Sequence, residues 1–243
     1  MSRIEWEDTE ELKPTKHSLA DFCQENHLPW LELPTAGLMA FIEYKALESL
    51  QHFLAEDTQR EHGGVLLGNP YYDPTEDRHF VVIHHAIPAF GTEGSPVHLQ
   101  FTAEAWSSIS GWIDEEFPGL PVVGWYHSHP GLGVFMSGTD RSTQKAFFNH
   151  MWNLAVVVDP IARQTGWFRG TECERLDHRH VIPYEKPKAI EPRVTKSEET
   201  LSPLEIEYRQ KYSYDNLRWL LPVGIFLISG LVGWLWYLDR NRG

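Results

Sequence analysis

The stretch Gly124-Trp-Tyr-His-Ser-His-Pro-Gly-Leu-Gly-Val-Phe-Met-Ser-Gly-Thr-Asp140 decides how this chain is read. His127 and His129 are one residue apart, so on an extended strand both imidazoles project from the same face. Pro130 cannot continue a central strand, and Gly131 and Gly133 follow, so the chain turns there. Eleven residues beyond His129, Asp140 can return to the same point as a third ligand. Two histidines and one carboxylate leave a tetrahedral zinc ion with one open position for water. That is the catalytic pattern, not the closed structural one.

A His-x-His pair alone carries little weight, since thirteen histidines in this chain produce about 0.7 such pairs by chance. A second pair, His178-Arg179-His180, lies beside Arg175 and Asp177 and reads as a solvated surface segment. Asp140 also fits a helix start, with Ser137 as N-cap and an acid in the first turn. The two roles are compatible, because a helix N-terminus holds Asp140 firmly enough to ligate. Context comes from upstream, in Glu61-His62-Gly63-Gly64-Val65-Leu66-Leu67-Gly68. The apolar run between glycines reads as a buried strand with Glu61 at its mouth. A zinc-bound water needs a proton acceptor that is not itself a ligand, and Glu61 supplies that chemistry.

Glu-x-x-Gly-x-Leu-x-Gly, His-Ser-His-Pro-Gly and Ser-x-x-Asp together resemble the JAMM metalloproteases, the catalytic branch of the MPN (JAB) domain. Val122 to Gly131, Ser137-Gly138 and Ala155-Val-Val-Val-Asp-Pro160 are especially similar to the members found in the proteasome lid and the signalosome. The resemblance covers roughly residues 37–172. It implies zinc held by His127, His129 and Asp140, with Glu61 as general acid and base. It also implies that Ser137 helps to hold the tetrahedral oxyanion. Inactive MPN scaffolds typically lose one or more of these residues, and this chain keeps all five.

A formal charge of −13 argues against a nucleic-acid partner, which wants a basic face. Two distant cysteines, Cys23 and Cys173, exclude a thiolate zinc finger or a disulfide framework and fit a reducing compartment. Residues 1–36 read as an irregular acidic extension with a short helix near Ser18–Glu25. The catalytic domain is expected over 37–184 as a curved mixed α/β sheet flanked by helices, which the resemblance also implies. Within it the patterning predicts strands at Leu38–Glu43, Gly64–Leu67, Phe80–Ile87, Pro121–His127, Leu154–Val158 and Gly166–Arg169. Helices are predicted at Tyr44–Glu56, Thr102–Phe117 and Thr139–Met151, with loops at Asn69–Asp77 and Gly91–Gln100. His84 and His85, adjacent on a strand, face opposite ways and cannot chelate jointly.

Residues 185–215 are charged and proline-punctuated, as a linker is. From Trp219 to Leu238 the chain runs twenty residues without a charge, enough for a helix of about 30 Å, the thickness of a hydrocarbon core. Trp219 marks one end and Trp234, Trp236 and Tyr237 the other, as interface aromatics do. Residues 216–239 are therefore expected to form a transmembrane helix, with 240–243 a short basic tail. Ser229 and Gly233 form a small-xxx-small pair that could support a dimer. The acidic amino terminus carries no apolar signal segment, so a single-pass tail anchor with a cytoplasmic catalytic domain is expected.

The residues point to zinc hydrolysis, and the resemblance adds the substrate, a ubiquitin-like modifier or its lysine conjugates. The open alternatives are a peptidase that processes a ubiquitin-like or sulfur-carrier precursor, and a non-catalytic membrane-anchored scaffold. Because relatives act within large complexes, the resemblance also leaves room for an activating partner.

Overall fold

Period-two and helical patterns become eleven strands and four helices in the computed structural model, which describes residues 12–89, 93–95, 98–100 and 103–187. In chain order these are β1 (Thr15–Lys16), α1 (Leu19–Glu25), β2 (Met39–Glu43), α2 (Tyr44–Glu56), β3 (Gly63–Asp73), β4 (Arg78–Pro88), β5 (Glu93–Ser95) and β6 (His98–Gln100). There follow α3 (Ala103–Glu116), β7 (Val122–Ser128), α4 (Gly138–Phe147), β8 (Leu154–Asp159), β9 (Gln164–Arg169), β10 (Glu174–Arg175) and β11 (Val181–Tyr184). One mixed sheet runs in the order β10-β9-β8-β7-β3-β4-β2-β11, and β1 joins β3. The pairs β7·β8, β2·β4, β11·β2 and β1·β3 are parallel and the others antiparallel. The expected mixed α/β architecture is present.

The central strands are apolar runs because both their faces are covered. Residues 154–159 are all buried, as are 63–68. Glycine is required where strands press together. A Cβ on Gly64 would sit 2.0 Å from the Ile87 carbonyl oxygen, and one on Gly68 would sit 1.9 Å from that of Val82. On one face Val65, Trp125, Val157 and Phe168 pack with Ile109 and Ile113 of α3.

Four expectations are corrected. The stretch read as a loop over Asn69–Asp77 is mostly strand, since β3 runs on to Asp73 and pairs with β4 throughout. Pro70 is tolerated because it falls in a gap, between the β7 pairing that ends at Leu67 and the β1 pairing that starts at Tyr71. The loop expected over Gly91–Gln100 contains the antiparallel pair β5·β6. Helix α4 stops at Phe147, short of Met151. Phe148 caps it and turns into the core, and the His150 amide donates to Asn153 Oδ1 as the chain bends into β8.

The fourth correction concerns the amino terminus. The helix expected near Ser18–Glu25 forms, with the Ser18 hydroxyl accepting the Asp21 amide, but residues 15–25 belong to the fold. Asp73, at the end of β3, accepts the Leu19 N–H at 2.7 Å and also those of Thr75 and Glu76. It thereby ties α1 to the β3–β4 turn. Leu19, Phe22 and Cys23 are buried with Met39, Phe41, Phe80 and Tyr184, and Phe22 sits 4.8 Å from the Phe41 ring and 5.5 Å from that of Phe80. Apolar spacing within seven residues was too short to reveal that burial.

Cys23 and Cys173 are both free and buried. Among the described residues no helix is long and apolar enough to cross a membrane. The segment 216–239 expected to do so, and the linker from 188 onward, lie outside the described residues. Phe22→Ala is expected to lower folding stability by about 3–5 kcal/mol, read from the urea midpoint. A loss well under about 1 kcal/mol would show that α1 is not part of the core.

Candidate metal centre

Strand β7 presents Trp125 and His127 to one face, and His129 stands just beyond its end with its N–H donated to the Val158 carbonyl at 2.8 Å. The turn after Pro130 uses Gly131 and Gly133 at φ +71° and +85°, a conformation that favours residues without a Cβ. Asp159, at the end of β8, gathers that turn. Its carboxylate accepts the N–H groups of Gly131, Gly133, Ile161 and Ala162, all at 2.9–3.0 Å.

Helix α4 then begins with a capping box. Ser137 Oγ accepts the Asp140 amide at 3.2 Å, and Asp140 Oδ2 accepts the Ser137 amide at 2.7 Å. This fixes the Asp140 carboxylate against the two rings. His127 Nε2 lies 3.2 Å from His129 Nε2 and 3.4 Å from Asp140 Oδ1, and His129 Nε2 lies 3.4 Å from Asp140 Oδ2. All three side chains are buried. Donors about 2.0–2.1 Å from one tetrahedral centre stand about 3.3–3.4 Å apart. The donor set fits a zinc ion in its chemistry, the two imidazole nitrogens stand close to that spacing, and one ligand atom from each of the three residues lies within 4.8 Å of the others.

Glu61 is buried beside the trio, with Oε1 3.6 Å from His129 Nε2. Gly63 pairs with His127 across the β3·β7 ladder, which brings the mouth of β3 to the end of β7. The five residues singled out in the sequence (Glu61, His127, His129, Ser137 and Asp140) thus meet at one place.

Burial pushes the Glu61 carboxyl up to about 7; the Asp140 charge adds to the rise and His129 opposes it. Burial also disfavours a charged Asp140. Hydrogen bonds from His127, His129 and Ser137 outweigh it and hold that carboxyl well below the ordinary range. Burial lowers His127. It works the same way on His129, where the Asp140 and Glu61 carboxylates overcome it and raise the ring.

Several supporting residues escaped the sequence reading. Ser128, between the two histidines, faces the opposite side and accepts the His62 N–H through Oγ at 3.2 Å, while its own N–H donates to the His62 carbonyl. His62 Nε2 lies 2.7 Å from the Phe53 carbonyl of α2, so the segment bearing Glu61 is pinned on two sides. Trp125 stacks on His127 at 4.5 Å and 10°, and its indole N–H donates to Gln144 Oε1 at 2.7 Å. Two residues of strand spacing and four of helix spacing link these side chains to ligands, the one signal that could have found them. The second histidine pair forms a short turn after Asp177, as expected of a surface segment. His84 binds Glu43 at 2.7 Å and Asn69 at 3.1 Å, apart from this site.

The sequence family described as prokaryotic homologs of the JAB domain matches residues 44–169, just over half of the chain. The chain belongs to that family. This JAB domain is 34% identical to COP9 signalosome complex subunit 5 of Eremothecium gossypii over 134 residues, covering 54% of the chain and 30% of that protein. It is 54% identical over 46 residues to Ubiquitin carboxyl-terminal hydrolase RPN11 of Saccharomyces cerevisiae, covering 18% of the chain and 15% of that protein. It is also 33% identical over 120 residues to the NAD(+) hydrolase TcpA of a Theionarchaea archaeon, covering 49% of the chain and 33% of that protein. The JAB chain thus spans about a third or less of the length of these curated relatives. Two of these relatives are named as hydrolases, one of ubiquitin carboxyl termini and one of NAD(+).

The raised Glu61 carboxyl has a consequence for metal-free protein. Its protonated form is favoured by the fold, so its contribution to stability is fully present below about pH 4.5 and is lost as pH rises through about 7. In chelator, Glu61→Gln should therefore melt above wild type at about pH 8, with the gap closing as pH falls through about 4.5. A constant gap across that range would contradict the burial of this charge.

Proposed function

We propose that this JAB-domain protein is a zinc-dependent isopeptidase that removes ubiquitin or a ubiquitin-like modifier from lysine. The observation that carries the proposal is the convergence of His127, His129 and Asp140, buried with one ligand atom each within 4.8 Å of the others, beside a buried carboxylate, Glu61, outside the ligand set. When bound there, zinc supplies a Lewis acid that acidifies a water molecule and polarises the scissile carbonyl. Glu61, with its carboxyl near neutrality, takes the proton from the attacking water and later gives it to the leaving amine. Ser137 uses its oxygen lone pair for the Asp140 amide. In this reading its hydroxyl proton would serve the oxygen that becomes negative as the amide is attacked. His127, His129 and Asp140 hold the metal, and the glycine turn pinned by Asp159 keeps the spacing between them.

An amide with an amine leaving group suits this arrangement, because one residue must accept a proton and then return it. The relatives named for ubiquitin hydrolysis and the signalosome support a lysine-linked conjugate as substrate. We further propose that residues 216–239 anchor the protein in a membrane with the JAB domain on the cytoplasmic side. The uncharged aromatic-flanked run supports this reading.

Full-length protein with zinc should cleave a lysine-linked ubiquitin-type conjugate, and a chelator should abolish the activity. Glu61→Gln should keep its zinc and lose activity by a factor on the order of 10²–10⁴. Unchanged turnover in Glu61→Gln would remove Glu61 from the mechanism. Cleavage of a linear precursor alone would favour the processing peptidase, and zinc-free wild-type protein without activity would favour a scaffold. For the anchor, full-length protein should stay with membranes through alkaline carbonate washing, and a chain lacking 216–239 should be released. Equal release of both would sink the tether.

A further inference from the structure

We infer that Gln144 is a positioning residue for the metal ligands, acting through Trp125 to hold the two ligand-bearing elements in register. The inference rests on the metal reading of the trio. Gln144 is buried on α4 one turn after Asp140, so both side chains share a helix face. Its Oε1 accepts the Trp125 indole N–H at 2.7 Å. Its Nε2 donates to the Phe148 carbonyl at 3.1 Å and the Asn153 carbonyl at 3.4 Å. The orientation of the amide is thereby fixed: the indole nitrogen can only donate and the carbonyls can only accept. No flipped amide satisfies all three.

Trp125 lies on β7 two residues before His127, on the same face, with its ring parallel to the imidazole at 4.5 Å. Behind it, Phe148 stacks on the indole at 5.9 Å and 11°. The indole is therefore the wall against which the His127 ring rests, and the hydrogen bond to Gln144 sets where that wall stands. Through helix α4 the same glutamine is coupled to Asp140. One buried side chain thus connects the strand that carries His127 with the helix that carries Asp140. A displacement of either element alters the 3.4 Å spacing between the two ligands.

The ordinary alternative is that Gln144 only satisfies buried polar groups and stabilises the fold. The two roles differ in what they move. A purely structural role lowers the stability of metal-free protein and leaves metal affinity unchanged once the protein is folded. A positioning role weakens metal binding in protein that is folded. Partners that orient metal ligands typically change affinity by about 10–100-fold when removed.

The test uses full-length protein in detergent, with zinc affinity measured by chelator competition and the visible spectrum of the cobalt(II)-loaded form as reporter of ligand geometry. Gln144→Met and Trp125→Phe are compared singly and together, each checked for folding by near-UV circular dichroism without metal. Trp125→Phe keeps a ring against His127 while deleting the N–H, so it reports even if Gln144→Met fails to fold. The expected result is a roughly ten- to hundredfold weaker zinc affinity for each single variant, with a shifted cobalt spectrum. The double variant should be no weaker than the worse single one, because both remove the same bond. Folded variants with wild-type affinity and an unchanged cobalt spectrum would overturn the inference, as would losses that multiply in the double variant. Wild-type protein that takes up no zinc would instead overturn the metal reading, and would do so before any variant is compared.

Discussion

Two carboxylates and two imidazoles share one buried volume at the end of β7, and the surrounding structure answers to that fact. Charge in a dry interior is strongly unfavourable unless it is paired, hydrogen-bonded or neutralised. The chain meets the requirement only in part. Asp140 is held ionised by both rings and by the Ser137 amide, whereas Glu61 lacks comparable partners and burial raises its carboxyl to about 7. A divalent cation held by His127, His129 and Asp140 would complete the balance that the protein alone leaves open. Glu61, 3.6 Å from His129 and outside the ligand set, is the group that the proposed mechanism uses to move a proton.

The sheet explains how such a cluster is assembled from distant residues. β3, β7 and β8 are neighbours, and each delivers one part to the same edge. The mouth of β3 supplies Glu61, the end of β7 supplies His127 and His129, and the end of β8 supplies Asp159, which shapes the turn leading to Asp140. Helix α4 closes the arrangement by using one carboxylate twice, as its own capping acid and as the group facing both histidines. Rigid strands and a capped helix, instead of loops alone, give the tolerances that metal ligation needs.

Much of this was legible from sequence because the relevant spacings are local. His127 and His129 obey the strand period, Asp140 follows a helix start signalled by Ser137, and Glu61 precedes a glycine-bounded apolar run. The paths that connect them were not. That Ser128 would bind His62, or Gln144 meet Trp125, depends on which strands become neighbours, and no local pattern encodes that. The extension of β3 through Pro70 was hidden by turn-forming residues that lie in the gap between its β7 and β1 pairings. The amino-terminal helix was visible as a helix but not as core, because Leu19, Phe22 and Cys23 bury against strands that begin no earlier than Met39, beyond the irregular stretch that follows the helix.

The most direct test of the central claim is X-ray absorption at the zinc edge of the metal-loaded full-length protein. The result expected is a four-coordinate zinc with two imidazole nitrogens and light oxygen donors at about 2.0–2.1 Å, and with imidazole scattering reduced in His127→Ala. A sulfur-containing shell, an all-oxygen shell, or a spectrum indifferent to His127 would contradict it.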